Sequence, residues 1–479
     1  MESRKKLMRV SFIAGTLAGS VTLAACIGPN SGSAVQAAET YGPYPITLKN
    51  YSGPKTDSVS YTGQMARHVL HNSLKKLAGK GNGKPNPELK AQMMAYYAGK
   101  TPDRAIIDPT SKGNFKIKQT SIDEISKGKE LKGKTFKGLV PGFPGQMTGP
   151  EVIEFMIGKA ASAKKGFDPL TGYDYVQLIS KFMMGAVFYN QAVDNYLDEK
   201  LEAGKKPNNK PYKKGRHYTG KEHVWDEAWG YFGAPAHALS LSGADAYGIA
   251  KKKDLKKADA NGDGMVDLVR EMTYAHAYYA AGSDKGGSNY LQTITKAFID
   301  GRKLITAAGG KALSDAERAN LKGYADVIKK NWAAVIAEAT FKYAGSTYKD
   351  LQNLQTIIEA NGDASKAFRK YGKHWGELKG FAMALQTSGK DLGQVAVKLN
   401  RLIGYGPVLL GGNQVTGIDA SGKLETGGNR SMGEYMVHMI KVQDLLAKSF
   451  DLKVKKNDVT GQMAGLIKSL GESKSAEND

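Results

Sequence analysis

The stretch DYVQLISKFMMGAVFYNQAVDNYLDEKL, Asp174 to Leu201, decides the fold class. Its apolar positions Val176, Ile179, Met183, Ala186, Val187, Val193 and Leu197 recur every three or four residues, the spacing of one face of an amphipathic α-helix. Upstream, helical periodicity starts near Tyr61, with Met65, Val69 and Leu70 on one side. Downstream, helices are predicted over about Asp315–Tyr343 and Met432–Phe450. They open with Ser314-Asp-Ala-Glu317 and Ser431-Met-Gly-Glu434, capping boxes in which Ser and Glu satisfy each other's backbone amides. Residues 101–147, rich in Lys, Gly and Pro, read as a long loop or hairpin region, and Gly-rich residues 404–430 as a loop holding a short hairpin. Strand-like alternation is scarce. The expected fold is all-α.

At the N-terminus, Arg4, Lys5, Lys6 and Arg9 precede the apolar run Val10–Ala25. That run is too short, and too rich in Gly, Ser and Thr, to span a bilayer comfortably, and it reads as a secretory signal. It ends in Leu23-Ala24-Ala25-Cys26, which resembles a lipobox. Cys26 is then the lipid attachment site and the anchor to a membrane, each buried methylene adding about 0.8 kcal/mol. Ile27 stands where an Asp often signals inner-membrane retention, so the expected location is the cell envelope, at the outer membrane of a Gram-negative bacterium. The expected order is a lipoprotein signal peptide over 1–25, a lipidated flexible tether over 26–57 and an N-terminal helical bundle over 58–300. A C-terminal bundle over 301–450 and a polar tail over 451–479 complete it.

Cys26 is the chain's only cysteine, so no disulfide forms within it. The net charge of +22 comes largely from Lys in loop-like stretches such as Lys127–Lys137 and Lys205–Lys214. A basic exported surface suits anionic lipid headgroups, an acidic envelope partner or an outer-membrane receptor. Nucleic acid is excluded as a partner, because the lysines are dispersed and no nucleic-acid motif accompanies them.

Asp259-Ala-Asn261-Gly-Asp263-Gly264-Met265-Val266-Asp267 has the pattern of an EF-hand-type calcium loop. Oxygen ligands stand at positions 1, 3 and 5, Gly264 permits the sharp turn at 6, and Met265 would offer its carbonyl at 7. Position 12 is Arg270, and the expected carboxylate follows one residue later as Glu271. The loop is therefore one residue longer, weak, or degenerate. A surface turn that binds nothing is the plainer reading. If calcium binds, a structural role is expected.

Two further blocks carry metal-ligand chemistry. His223, Asp226 and Glu227 lie at i, i+3 and i+4 in HVWDEAWGYF, and His374 and Glu377 at i and i+3 in HWGELKGF. Such spacings present an imidazole and a carboxylate on one helix face. Both blocks contain Trp-x-Glu-x-x-Gly-[Tyr/Phe], about 150 residues apart, which points to two bundles related by internal duplication. Helix packing, with local hydrogen bonds for each His and Glu, is the alternative. His68 and His71 lack an acidic neighbour, and His276, among Tyr274, Tyr278 and Tyr279, is expected to pack on aromatic rings. His217, His237 and His438 carry no interpretable pattern. There is no Ser/His/Asp context, phosphate loop, haem-attachment motif or His-Glu-x-x-His.

Several blocks occur in a recognisable order: Val59-Ser-Tyr61-Thr-Gly63-Gln64-Met-Ala-Arg67, Met184–Phe188, Trp225–Phe232, Asn261-Gly-Asp263-Gly, Ala297–Arg302 and His374-Trp-Gly-Glu377. Together they resemble the bacterial lipoprotein family of domain of unknown function 4856. That family often carries the late acidic residue seen here as Glu271. More distantly, His-x-x-Asp and His-x-x-Glu are similar to the Gly-x-His-x-x-Glu motif of imelysin-like proteins, two-bundle helical proteins linked to iron acquisition and once described as peptidases. Lys221 stands where the first motif's Gly is expected, and the first acid is Asp226. The resemblance implies a metal-binding envelope lipoprotein that captures iron or an iron-bearing ligand. His223, Asp226, Glu227, His374 and Glu377 would be ligands, and zinc or copper would fit the same donors. The alternatives are a metal-dependent peptidase and a non-catalytic binding or scaffold lipoprotein stabilised by calcium.

Overall fold

Side chains that close the first turn set most helix starts in this chain. Capping boxes open α4 (Gly149–Ser162) at Thr148, α6 (Gly220–Phe232) at Thr219, α7 (Gly243–Ala250) at Ser242, α11 (Asp315–Glu359) at Ser314 and α14 (Met432–Ser449) at Ser431. Each satisfies amides that the helix cannot, a contribution of about 1 kcal/mol per cap. Asn86, followed by Pro87 at the first helical position, caps α2 (Pro87–Tyr97). Asp174 caps α5 (Tyr175–Met183).

The computed structural model describes residues 39–472. The predicted signal segment and Cys26 lie outside the described residues. The remaining helices are α1 (Thr62–Ala78), the single-turn α3 (Ile122–Ile125) and α8 (Leu255–Ala258), α9 (Ala275–Asp284), α10 (Tyr290–Ala307), α12 (Ser365–Leu385), α13 (Gln394–Ile403) and α15 (Met463–Glu472). Two small antiparallel pairs, β1 (Phe167–Asp168) with β2 (Tyr173–Asp174) and β3 (Gln414–Ile418) with β4 (Leu424–Gly427), are the sheets of the described residues. The chain is predominantly helical, as its periodicity predicts. The second pair is the hairpin expected within 404–430.

Helix α11 packs along α9, α10, α12 and α14, and α12 packs on α5. On the other side α6 lies against α1 and α10, while α1 also meets α2 and α5. One continuous core of buried Trp, Tyr, Phe and aliphatic side chains runs between them. The boundary expected at 300 falls inside α10.

Three predicted segments differ from expectation. The helix over Asp174–Leu201 is α-helical only to Met183, and Met184–Tyr196 follow as a π-helix, with the Leu197 amide bonded five residues back to Ala192. That segment is buried on nearly every side, and Gly185 brings its backbone against Ala384 of α12. A stripe seen over so few turns cannot separate the two helix types, and packing on all sides holds the wider turn. Residues 39–57, expected within a flexible tether, lie on the body. Tyr41 and Tyr44 are buried, and the Tyr41 ring stacks on Trp229 at 4.4 Å. Large aromatic surface drives this docking despite a loop-like composition. The tail predicted from 451 includes α15, which packs against α14.

Candidate functional site

The loop that follows α8 is built by its own carboxylates. Asp259 Oδ1 accepts from the amides of Gly262 (2.8 Å) and Asp263 (3.1 Å), and Oδ2 from Gly264 (2.8 Å). Asn261 Oδ1 takes the same Asp263 amide at 2.8 Å, so the oxygens at positions 1 and 3 converge. Gly262 and Gly264 adopt φ of +76° and +80°, which lets the chain coil this tightly. The Met265 amide at 2.9 Å holds the exposed Asp263 carboxyl below its usual range.

Glu271, buried at position 13, closes the loop. Its Oε1 accepts from Ala260 (3.0 Å) and Asn261 (3.3 Å), and its Oε2 from Asp267 (2.8 Å). The carboxylate one residue late thus reaches both ends of the loop. Val266 pairs in parallel with Ile117, and the Gln119 side chain spans Asp267 Oδ1 (2.7 Å) and the Leu268 amide (2.9 Å). The side-chain oxygens of the loop are of the carboxylate and amide type that a hard cation takes. Here they accept from backbone amides, with no three carboxylates among the described residues placed together to hold a metal ion.

On α6, the neighbours Asp226 and Glu227 point to different places. Asp226 is fully buried and accepts from Tyr41 Oη (2.7 Å), the Ser60 amide (2.9 Å) and Arg302 Nε (3.0 Å). Arg302, also fully buried, reaches Glu222 at 3.4 Å and Ser58 Oγ at 2.6 Å, and stacks over Tyr44. Burial pushes the Asp226 carboxyl up against the pull of Arg302. Burial also works against the guanidinium, but Asp226 and Glu222 outweigh it and keep Arg302 charged. His223 faces Glu227 at 3.6 Å, between the rings of Tyr212 and Tyr218, and its Nδ1 is buried without a hydrogen-bond partner. Burial lowers its pKa, opposed by Glu227. Gln64 Nε2 donates to Glu227 at 2.8 Å.

On α12 the pair separates. His374 Nδ1–H donates to Asp350 Oδ2 at 2.5 Å, and Asp350 also holds Lys370 at 2.9 Å. Glu377 faces the buried Lys181 at 3.7 Å. Burial, then the neighbouring Lys75, pushes the Lys181 ammonium far below its usual pKa. The five predicted ligands therefore belong to separate clusters. Among the described residues, no group of three or more His, Cys, Asp or Glu side chains is placed to hold a metal ion.

Other histidines are structural. His68 and His71 give Nε2 to the carbonyls of Gly230 and Ser180, both at 3.0 Å, and burial lowers both to about 3. His276 packs on Tyr189 and Trp332, as expected. Sequence reasoning missed the Arg302 network. Its one signal was a lone Arg in the Ala297–Arg302 helical stripe, on the side that faces the core.

No curated protein and no solved structure matches the chain. The family model described as Domain of unknown function (DUF4856) matches residues 91–395, a span that takes in the loop over Asp259–Glu271, the Arg302 network's α6 and α10, and both Trp blocks. With well over half of its length matched, the chain belongs to the DUF4856 family.

Proposed function

We propose that this protein is a non-catalytic binding lipoprotein of the cell envelope, anchored through Cys26, whose loop over Asp259–Glu271 takes calcium as a structural ion. The carrying observation is Glu271, whose carboxylate bonds to amides at both ends of the loop while Asp259 and Asn261 share the Asp263 amide. A cation among these oxygens would relieve their mutual repulsion and fix residues 259–271 against 116–119. Its partners would be the membrane and an outer-membrane receptor or acidic envelope component. The imelysin-like, two-bundle architecture with an internal duplication is part of the same proposal, supported by the shared Trp/Gly pattern of α6 and α12.

The test is calorimetric titration of the mature chain with calcium, alongside thermal unfolding with and without chelator. Stoichiometric binding that raises the melting temperature and disappears in Asp259→Ala supports the reading. At a hundredfold excess over Kd the gain is about 2.7 kcal/mol. Absence of any calcium effect overturns it.

Iron capture is the second reading, favoured by His223, whose Nε2 faces Glu227 at 3.6 Å and whose Nδ1 is buried and unpartnered. Imidazole and carboxylate are donors that iron accepts, with zinc or copper as competitors. Elemental analysis decides it: stoichiometric transition metal lost in His223→Ala would restore this reading.

A further inference from the structure

A cleft of about 520 Å³ opens where α1, α5, the end of α7 and the start of α9 meet. Lys181 of α5 and Lys75 of α1 enter it together, and Lys252, beyond α7, stands at its edge. Lys181 is 3% exposed, and its carboxylate neighbour, Glu377, is 3.7 Å away, too far for a tight ion pair. Lys252 is held by Asp108 at 3.1 Å. Burial lowers the pKa of both Lys181 and Lys75, so the pair is held short of full charge, and an anion in the cleft would be the partner that restores it.

The N-terminus of α9 is also part of the lining. Tyr274 occupies its N-cap position and makes no side-chain capping bond. The first amides of a helix lack intrahelical acceptors and carry the positive end of its dipole, so they favour an anion. Thr273, immediately before the cap and lining the cleft, is 2% exposed, and its hydroxyl has no hydrogen-bond partner. A buried hydroxyl left in that state costs about 1–3 kcal/mol, which a bound acceptor would recover.

We propose that this cleft binds the oxyanion group, phosphate or carboxylate, of a small soluble molecule, held between Lys75, Lys181, the Thr273 hydroxyl and the uncapped start of α9. Tyr278 and Tyr279 also line a second recess, bordered by Lys285, Lys342 and Lys456 and by the Glu338 carboxylate, which would take the rest of the ligand. This site shares no residue with the calcium-type loop, so either can fail without the other.

The experiment is calorimetric titration of the mature protein, calcium-loaded and calcium-free, with inorganic phosphate and separately with malonate. Saturable binding of either probe is expected, weakened at least tenfold in Lys181→Met and severalfold in Thr273→Val. Phosphate alone would assign a phosphoryl ligand, malonate alone a dicarboxylate, and both outcomes support the site. The paired substitution Lys213→Gln and Lys214→Gln, in an exposed basic loop, controls for bulk charge and should leave binding unchanged. If Lys181→Met does not fold, Lys75→Met with Thr273→Val is the substitute. Failure of both probes to bind overturns the proposal. So does unchanged affinity in the cleft variants, or an equal loss in the loop control.

Discussion

At the position after the first tryptophan of the shared pattern, α6 carries Asp226 and α12 carries Gly376. Three further on, α6 carries Trp229 and α12 carries Lys379. The common Trp and Gly behave alike. Trp225 Nε1 donates to Phe298 O and Trp375 Nε1 to Tyr435 Oη, both at 2.8 Å. A Cβ on Gly230 would lie 2.8 Å from Gln64 Cβ, and one on Gly380 2.5 Å from Lys181 Cβ. Each glycine therefore marks a place where another helix comes close, α1 at Gly230 and α5 at Gly380. The unlike residues set the chemistry. Asp226 recruits Arg302, whereas Gly376 leaves room for the backbone at Asp174. Trp229 stacks on Tyr41, whereas Lys379 buries an amine whose Nζ donates to Gly404 O at 2.6 Å. One packing pattern is common to both helices, and the charged groups were placed separately on each.

The largest effect is expected at Arg302. Arg302→Met strands two buried carboxylates and should cost about 3–5 kcal/mol in denaturant unfolding. A loss under 1 kcal/mol would mean that Asp226 and Glu222 are neutral in the fold. Gly230→Ala and Gly380→Ala should each cost about 1–3 kcal/mol through overpacking. If only one proves sensitive, the two helices do not share a packing role.

Lys379→Met should instead stabilise, by about 1–3 kcal/mol at neutral pH. Burial lowers this amine to about 7. The unfolded chain therefore binds a proton that the fold refuses, between pH 7 and the ordinary lysine pKa. The gain from Lys379→Met is fully present below pH 7 and disappears as pH rises above about 10.5. Melting curves of both proteins across that range check it, and a pH-independent difference would place a charged Lys379 in the fold. The smallest effect is at the caps, where Ser314→Ala and Ser431→Ala should each lower stability by about 1 kcal/mol.

Features fixed by local chemistry were legible in the sequence. The capping boxes at Ser314 and Ser431 start α11 and α14, and the Asp/Asn/Gly spacing of 259–264 forms the tight loop. His223 and Glu227 also meet, because i and i+4 share a helix face. What sequence spacing could not show is which way a side chain turns once other helices surround it. Asp226 sits beside Glu227 in sequence yet faces Arg302, and Glu377 turns to Lys181 while His374 turns to Asp350. Residues 39–57 were misread for a related reason. Their small and polar residues describe a linker, and the few aromatics that dock them act through contacts with residues far along the chain.

Helix α11 runs 45 residues, about 68 Å at 1.5 Å per residue, and is buried at intervals from Leu321 to Leu354. Because α9, α10, α12 and α14 all rest on it, no neighbour can come loose without exposing part of its length. Its central amides should therefore exchange with deuterium only when the whole body opens, and at one shared rate. The short helices away from it, α7 and α15, should exchange by local opening, so hydrogen exchange would map the protein as one slow spine with faster edges.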